Sequence, residues 1–197
     1  MHWQDELKAL LRPAGGGLYL VSTGRAAQEK LQRTLYRADD DATVRRRFEE
    51  TLAKIPSARG IVLGVPSDVG AGFVRGANLG PQVIRQALLD EDHAWTAWCD
   101  AHGVVDVGDV FVVPQLLHDD MLNDRQIAAT RAALYPGGEA LPVSPLSIAE
   151  RALDLVLALN PKVAPVILGG DHSTAWPAVS ALSRARKDHW GVVQPDA

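Results

Sequence analysis

Disulfide chemistry is missing from this chain: its 197 residues include one cysteine, so no bridge can close within it. That usage fits a reducing compartment. Cys99 lies beside Trp98 with no base at nucleophile spacing, and reads as a semi-buried, inert thiol. Long apolar runs are missing too, and none approaches the roughly 20 residues that a spanning helix needs. The opening residues, Met1 to Glu6, are polar and carry no basic segment followed by an apolar stretch. They therefore offer no export signal, and the expectation is a cytoplasmic protein with no membrane partner. Positive charge is not in excess: the formal net charge is −4, which argues against nucleic acid and anionic lipid as partners. The local run Arg45-Arg46-Arg47 is flanked by Asp39 to Asp41, Glu49 and Glu50, and reads as the solvated face of a helix. There is no Gly-x-Ser-x-Gly elbow and no Cys-x-x-Cys pattern.

What is present is an ordinary globular composition, 47% hydrophobic and 22% charged, in a length that suits one core. Residues 1–58 read as an N-terminal helical extension. Leu7, Leu10 and Leu11 share a helical face that ends at Pro13 and Gly15-Gly16-Gly17. Leu18-Tyr19-Leu20-Val21 suggests a short strand, and residues 26–37 and 43–55 suggest two amphipathic helices, the second stopped by Pro56.

From residue 59 to 197 the pattern changes to alternating strands and helices. Gly60 to Val65 is a continuous apolar run, as expected of a strand buried on both faces. A glycine-rich loop runs from Ser67 to Gly80, and Pro81 to Leu89 reads as a helix. Val104 to Gly108 and Val163 to Leu168 read as further strands, and Trp190 to Gln194 as a fourth. Residues 122–134 suggest a helix. The clearest helix opens at Ser144-Pro145 and runs to about Leu159, with Ser147 and Glu150 at capping-box spacing, and Ser173 to Arg184 suggests another. This alternation predicts an α/β domain of three layers around a parallel sheet, incomplete at its C-terminal side.

The segment richest in chemistry is Gly169-Gly170-Asp171-His172-Ser173, directly after a buried strand. In open α/β sheets, ligands bind beyond the carboxyl ends of strands. Two glycines let the backbone turn sharply and come close to a ligand. His172 would then project at the sheet's mouth as the neutral imidazole that a transition metal prefers, with Asp171 placed to orient it. A capped helix start with a chance histidine is the plainer alternative, and the strand and glycine context weighs against it. Asp196 closes the last predicted strand with a carboxylate that an adjacent strand would bring near His172; by itself it reads as a solvated acid. Asp68, Arg75 and Asn78 in the glycine-rich loop are candidates for polar contacts at the mouth, with a surface turn as the equal alternative. Gly70 to Gly76 follows a strand as a dinucleotide-binding loop does, but its third glycine comes one residue late and the loop begins several residues past the strand. His118-Asp119-Asp120 reads as a solvated loop, since adjacent residues do not converge easily on one ion. Asp109 lies close to the mouth but reads as structural.

Together these segments resemble the ureohydrolases, the family of arginase, agmatinase and formimidoylglutamase. Gly169-Gly170-Asp171-His172-Ser173 is similar to that family's first metal motif. Gln194-Pro195-Asp196-Ala197 is similar to the opening of its second, Asp-Ala-His-x-Asp, cut after the second residue. Gly64-Val65-Pro66, Arg75 to Arg85 and Val105 to Asp109 are similar to its earlier strands, loop and helix. The resemblance spans residues 60–197 and leaves 1–58 unexplained.

The resemblance implies an arginase-type sheet and a binuclear Mn²⁺ site at its carboxyl edge. There a metal-bound hydroxide attacks the carbon of a guanidino or formimino group, breaking a C–N bond and releasing urea or formamide. His172 would be a terminal ligand and Asp196 a bridging one; Gly169, Gly170, Asp171 and Ser173 would support them. The remaining ligands of the pattern are absent, and two ligands do not fix two cations. The expectation is therefore a truncated chain that binds Mn²⁺ weakly or not at all, and whose own activity is doubtful. If the chain continues, a small guanidino or formimino compound is its substrate. If it does not, a non-catalytic module for binding or homo-oligomer contact is the alternative.

Overall fold

The computed structural model describes residues 1–20, 22–91, 94–187 and 189–194. Its centre is a four-stranded sheet in the order β1-β3-β2-β4, formed by Leu11–Arg12 (β1), Gly60–Val65 (β2), Val104–Val110 (β3) and Ala164–Gly169 (β4). β3, β2 and β4 are parallel. β1 is antiparallel to β3, with Leu11 opposite Val110 and Arg12 opposite Asp109, so the sheet is mixed where a parallel one was expected. A two-residue strand carries too little alternation to be seen in sequence.

β2 is buried at every position, which accounts for its unbroken apolar run. Helices α4 (Gly80–Glu91) and α5 (Trp95–His102) pack on β4 and β3. Helix α7 (Pro145–Leu159) packs on β2 and β3, and α8 (Ala175–Ala185) lies along α7. Leu146, Ile148, Ala149, Leu153, Val156 and Leu157 form the buried stripe of α7. Leu153→Ala would cost about 2–5 kcal/mol by emptying that stripe.

The N-terminal segment shares this core. Leu7 and Leu10 of α1 (Trp3–Leu10) and Val44, Phe48 and Leu52 of α3 (Asp41–Leu52) belong to the same apolar cluster as β2, β3 and α7. Helix α2 (Arg25–Leu35) packs on α3 and α4. Glu6 pairs with Arg151 of α7 at 2.6 Å, and the Ala14 N–H donates to the buried Tyr36 hydroxyl at 2.9 Å.

Several local expectations change. Leu18 to Leu20 form no strand, and Val21 lies outside the described residues. Trp190 to Gln194 are exposed and in no strand; none of them pairs with β4, so the ladder hydrogen bonds of a strand are not made. Ser147 and Glu150 form no capping box. Ser147 Oγ accepts from the Asp119 N–H at 3.0 Å, and Glu150 pairs with Arg184. The Asp119 carboxylate instead accepts from the Val143 and Ser144 N–H groups at the start of α7. His118-Asp119-Asp120 is therefore no freely solvated loop but a clamp on that helix. The helix expected over 122–134 begins at a capping box, Asn123 with Gln126, and is α6 (Asp124–Leu134).

Candidate metal-ligand turn at the carboxyl edge of the sheet

β2 and β4 run side by side in register, Val65 opposite Gly169, so both release their chains at one edge. The turn after β4 is held by the loop after β2: the Asp171 N–H donates to the Ser67 carbonyl at 3.0 Å. That approach explains Gly170, because a Cβ there would stand 2.0 Å from the Ser67 oxygen. Gly169 is the last residue of β4, with Thr174 packed over its α-carbon. The chain then enters a short 3-10 turn, His172–Thr174, and α8.

Asp171 caps that turn. Its Oδ1 accepts from the Ser173 N–H at 2.8 Å and from the Ser173 hydroxyl. Its Oδ2 is buried without a hydrogen-bond partner among the described residues, as is Ser67 Oγ. Asp171 thus orients the turn, and no hydrogen bond joins it to the His172 ring. His172 is exposed, and its Nε2 lies 3.1 Å from the side-chain amide nitrogen of Gln194. Next to it opens a concavity of about 480 Å³ lined by Ile167, Gly170, Asp171, His172 and Ala178.

The three loop candidates lie together, but they are engaged with one another. Asp68 is buried; it pairs with Arg75 at 2.5 Å and accepts from the Gly76 N–H at 2.7 Å. Burial pushes its carboxyl up, but the Gly76 N–H, the Arg75 guanidinium and the Asn78 N–H outweigh burial and hold it below the ordinary range. Asn78 is half-buried beside them. The remaining candidate, Asp196, lies outside the described residues.

Sequence reasoning missed one polar cluster nearby. Arg85 of α4 is 1% exposed and bonds both Asp106 and Asp109 of β3, at 2.5 to 2.9 Å. Burial works against its charge, but the two carboxylates prevail and raise its pKa above the ordinary value. Asp109 Oδ2 also accepts from the Gly15 and Gly17 N–H groups, at 2.8 and 3.3 Å. This network is closed and ties the N-terminal glycine run to the sheet. Two acids on an otherwise apolar strand were the available signal, since such acids need a buried cation. Cys99 is half-buried; burial, then the charges of Asp106 and Asp100, push its thiol up to about 11, so it stays protonated near neutral pH.

Comparison with known proteins gives this edge a lineage. The arginase family profile matches residues 58–197. The chain belongs to the arginase family. It is 31% identical over 142 residues to the N(1)-aminopropylagmatine ureohydrolase of Thermococcus kodakarensis, covering 71% of this chain and 41% of that protein. It is also 31% identical over 132 residues to the agmatinase of Pyrococcus horikoshii, covering 65% of this chain and 37% of that protein. The chain thus spans about two fifths of the length of these relatives. The arginase family is manganese-dependent. Among the described residues, however, no three His, Cys, Asp or Glu side chains gather closely enough to hold a metal. His172 stands without co-ligands there, and these residues do not by themselves fit a binuclear centre. Among the described residues no helix is long and apolar enough to cross a membrane.

Proposed function

We propose that this chain forms the N-terminal part of a ureohydrolase site that cleaves a C–N bond of a small guanidino compound, with formimino compounds as the second substrate class. The observation that carries this reading is the Gly169 to Ser173 turn. It projects an exposed His172 at the shared carboxyl edge of β2 and β4, within a chain of the arginase family. His172 and Asp196 are the ligands this chain offers to manganese. The cations would supply an activated water to the site, and this chain's own contribution is to hold the first ligand in place. Asp171 and Ser173 fix the turn, and Gln194 fixes the ring. Because two ligands do not define a binuclear centre, activity requires further ligands beyond these residues.

The test is urea release with Mn²⁺ from agmatine, N(1)-aminopropylagmatine and arginine, and formamide release from formiminoglutamate. It is run on the native protein, whose intact mass is recorded, and on the 21.2 kDa chain alone. A heavier native species that releases urea, and loses that activity in His172→Ala, is the expected result. Turnover by the 21.2 kDa chain alone would overturn the requirement for further ligands. A second reading, a non-catalytic interaction module, is favoured by the half-exposed edge strand β4, where Val166 is 50% exposed. A native mass of 21.2 kDa with no turnover and a stable homo-oligomer would select it.

A further inference from the structure

A larger cavity lies by β1, at the opposite end of the sheet from β4 and His172. Its volume is about 650 Å³, within the range of small-molecule sites. Most of its wall comes from the N-terminal segment, which lies outside the family match of 58–197; Leu134 to Gly137 and Glu139 close the other side.

Two arginines line this cavity, Arg12 and Arg45, and neither has a carboxylate within ion-pair distance among the described residues. Arg12 is half-buried. It uses only Nη1, toward the carbonyls of Ala9 and Leu11 at 3.1 and 2.9 Å, and its guanidinium lies 5.0 Å from the Phe111 ring centre. Nε and Nη2 keep their N–H donors free, and neither is sealed in protein. Burial works most against the Arg12 cation; Tyr135 offsets part of that, and the charge of Arg45 adds a smaller opposition. A partly buried guanidinium facing a like charge is relieved by an anion that accepts its free N–H groups. By contrast, the smaller cavity of about 220 Å³ beside Trp95 has its cations engaged. Arg37 and Lys54 face Asp100 at 3.9 and 3.5 Å, and Arg47 donates to two backbone carbonyls.

The rest of the lining narrows the ligand. Leu11, Val44, Phe48 and Tyr135 supply buried apolar wall. Asp41, Glu49 and Glu139 also reach the cavity; Asp41 pairs with Arg33 and Glu49 with Lys8. Those acids disfavour a multiply charged anion. We propose that Arg12 and Arg45 bind the carboxylate of a small monocarboxylic acid whose apolar body rests on Phe48 and Tyr135. This site is separate from the His172 edge and does not rest on the ureohydrolase reading.

The test is calorimetric titration of benzoate into the full chain at fixed ionic strength. Saturable binding with one site and a dissociation constant of roughly millimolar or tighter is expected. Arg45→Gln and Arg12→Gln should each weaken it about tenfold or more, and His172→Ala should leave it unchanged. Arg45 is exposed, so its variant keeps the fold and gives a fair test even if the Arg12 variant does not. The absence of saturable heat with benzoate would overturn the proposal. So would undiminished affinity in Arg45→Gln, or inorganic phosphate binding more tightly than benzoate.

Discussion

β3 and β4 belong to one sheet; β3 carries two acidic side chains and β4 leads into one, and the two strands' acids are treated in opposite ways. At β3, Asp106 and Asp109 are closed off: Arg85 bonds both, and the Gly15 and Gly17 N–H groups take up Asp109 Oδ2. At β4, one oxygen of Asp171 has no hydrogen-bond partner among the described residues, and His172 stands exposed. A closed buried network fixes geometry, whereas polar groups left over at a strand end are free for a ligand. The contrast marks β3 as scaffold and leaves the end of β4 as the proposed site.

The largest expected effect breaks the closed side. Arg85→Met leaves Asp109, 2% exposed, without its cation and should cost about 3–5 kcal/mol in urea unfolding. A loss below about 1 kcal/mol would mean that water or local rearrangement replaces the guanidinium, and β3 would no longer differ in kind from β4. Next comes Gly64→Ala. Its new Cβ would stand 1.8 Å from Asp109 Oδ1 and also close to Arg85, so the ion pair must shift. The expected cost is about 1–3 kcal/mol, smaller than for Arg85→Met because the charges remain paired.

The glycine-rich loop lies between the two extremes. Asp68 has a lowered folded pKa, so its stabilisation is complete above the ordinary value of 3.8 and is lost as pH falls through the lower folded value. Hydrogen-exchange protection across residues 68–78, taken relative to the intrinsic rate at each pH, should therefore fall in acid below that ordinary value, and Asp68→Asn should be poorly protected even at neutral pH. Equal exchange in the variant and the parent at neutral pH would remove Asp68 as the loop's anchor.

How much of this could be read from sequence differs by region for physical reasons. β2 and α7 were legible because burial on both faces, or along one wide stripe, imposes its period on the residues; β4 was legible from its apolar run, although it forms a half-exposed edge and not the buried strand expected. The Gly169 to Ser173 turn was legible because a strand running into two glycines is an uncommon pattern. Helix α5 was not, since Ala94 supplies no side-chain cap and none of its residues is buried. The Arg85 network was not, because its members sit 21 and 24 residues apart and meet only across the helix–strand interface. Trp190 to Gln194 show the converse: an apolar run alone does not make a strand when no neighbouring strand pairs with it.

The smallest stability effect is expected at the residue on which the proposed function rests. His172 is exposed, and among the described residues its ring has one polar contact, with Gln194, itself exposed. His172→Ala should therefore unfold within about 0.5 kcal/mol of the parent chain. Asp171→Ala should cost more, about 0.5–2 kcal/mol, because it removes the cap on the Ser173 N–H. The order of the two is the informative quantity. If His172→Ala proved the more damaging, the histidine would be holding the turn together, and its exposed position would express packing at the end of β4. If the order holds, the fold keeps an unburied imidazole at a sheet edge with little gain in stability, as expected of a side chain retained for what it binds.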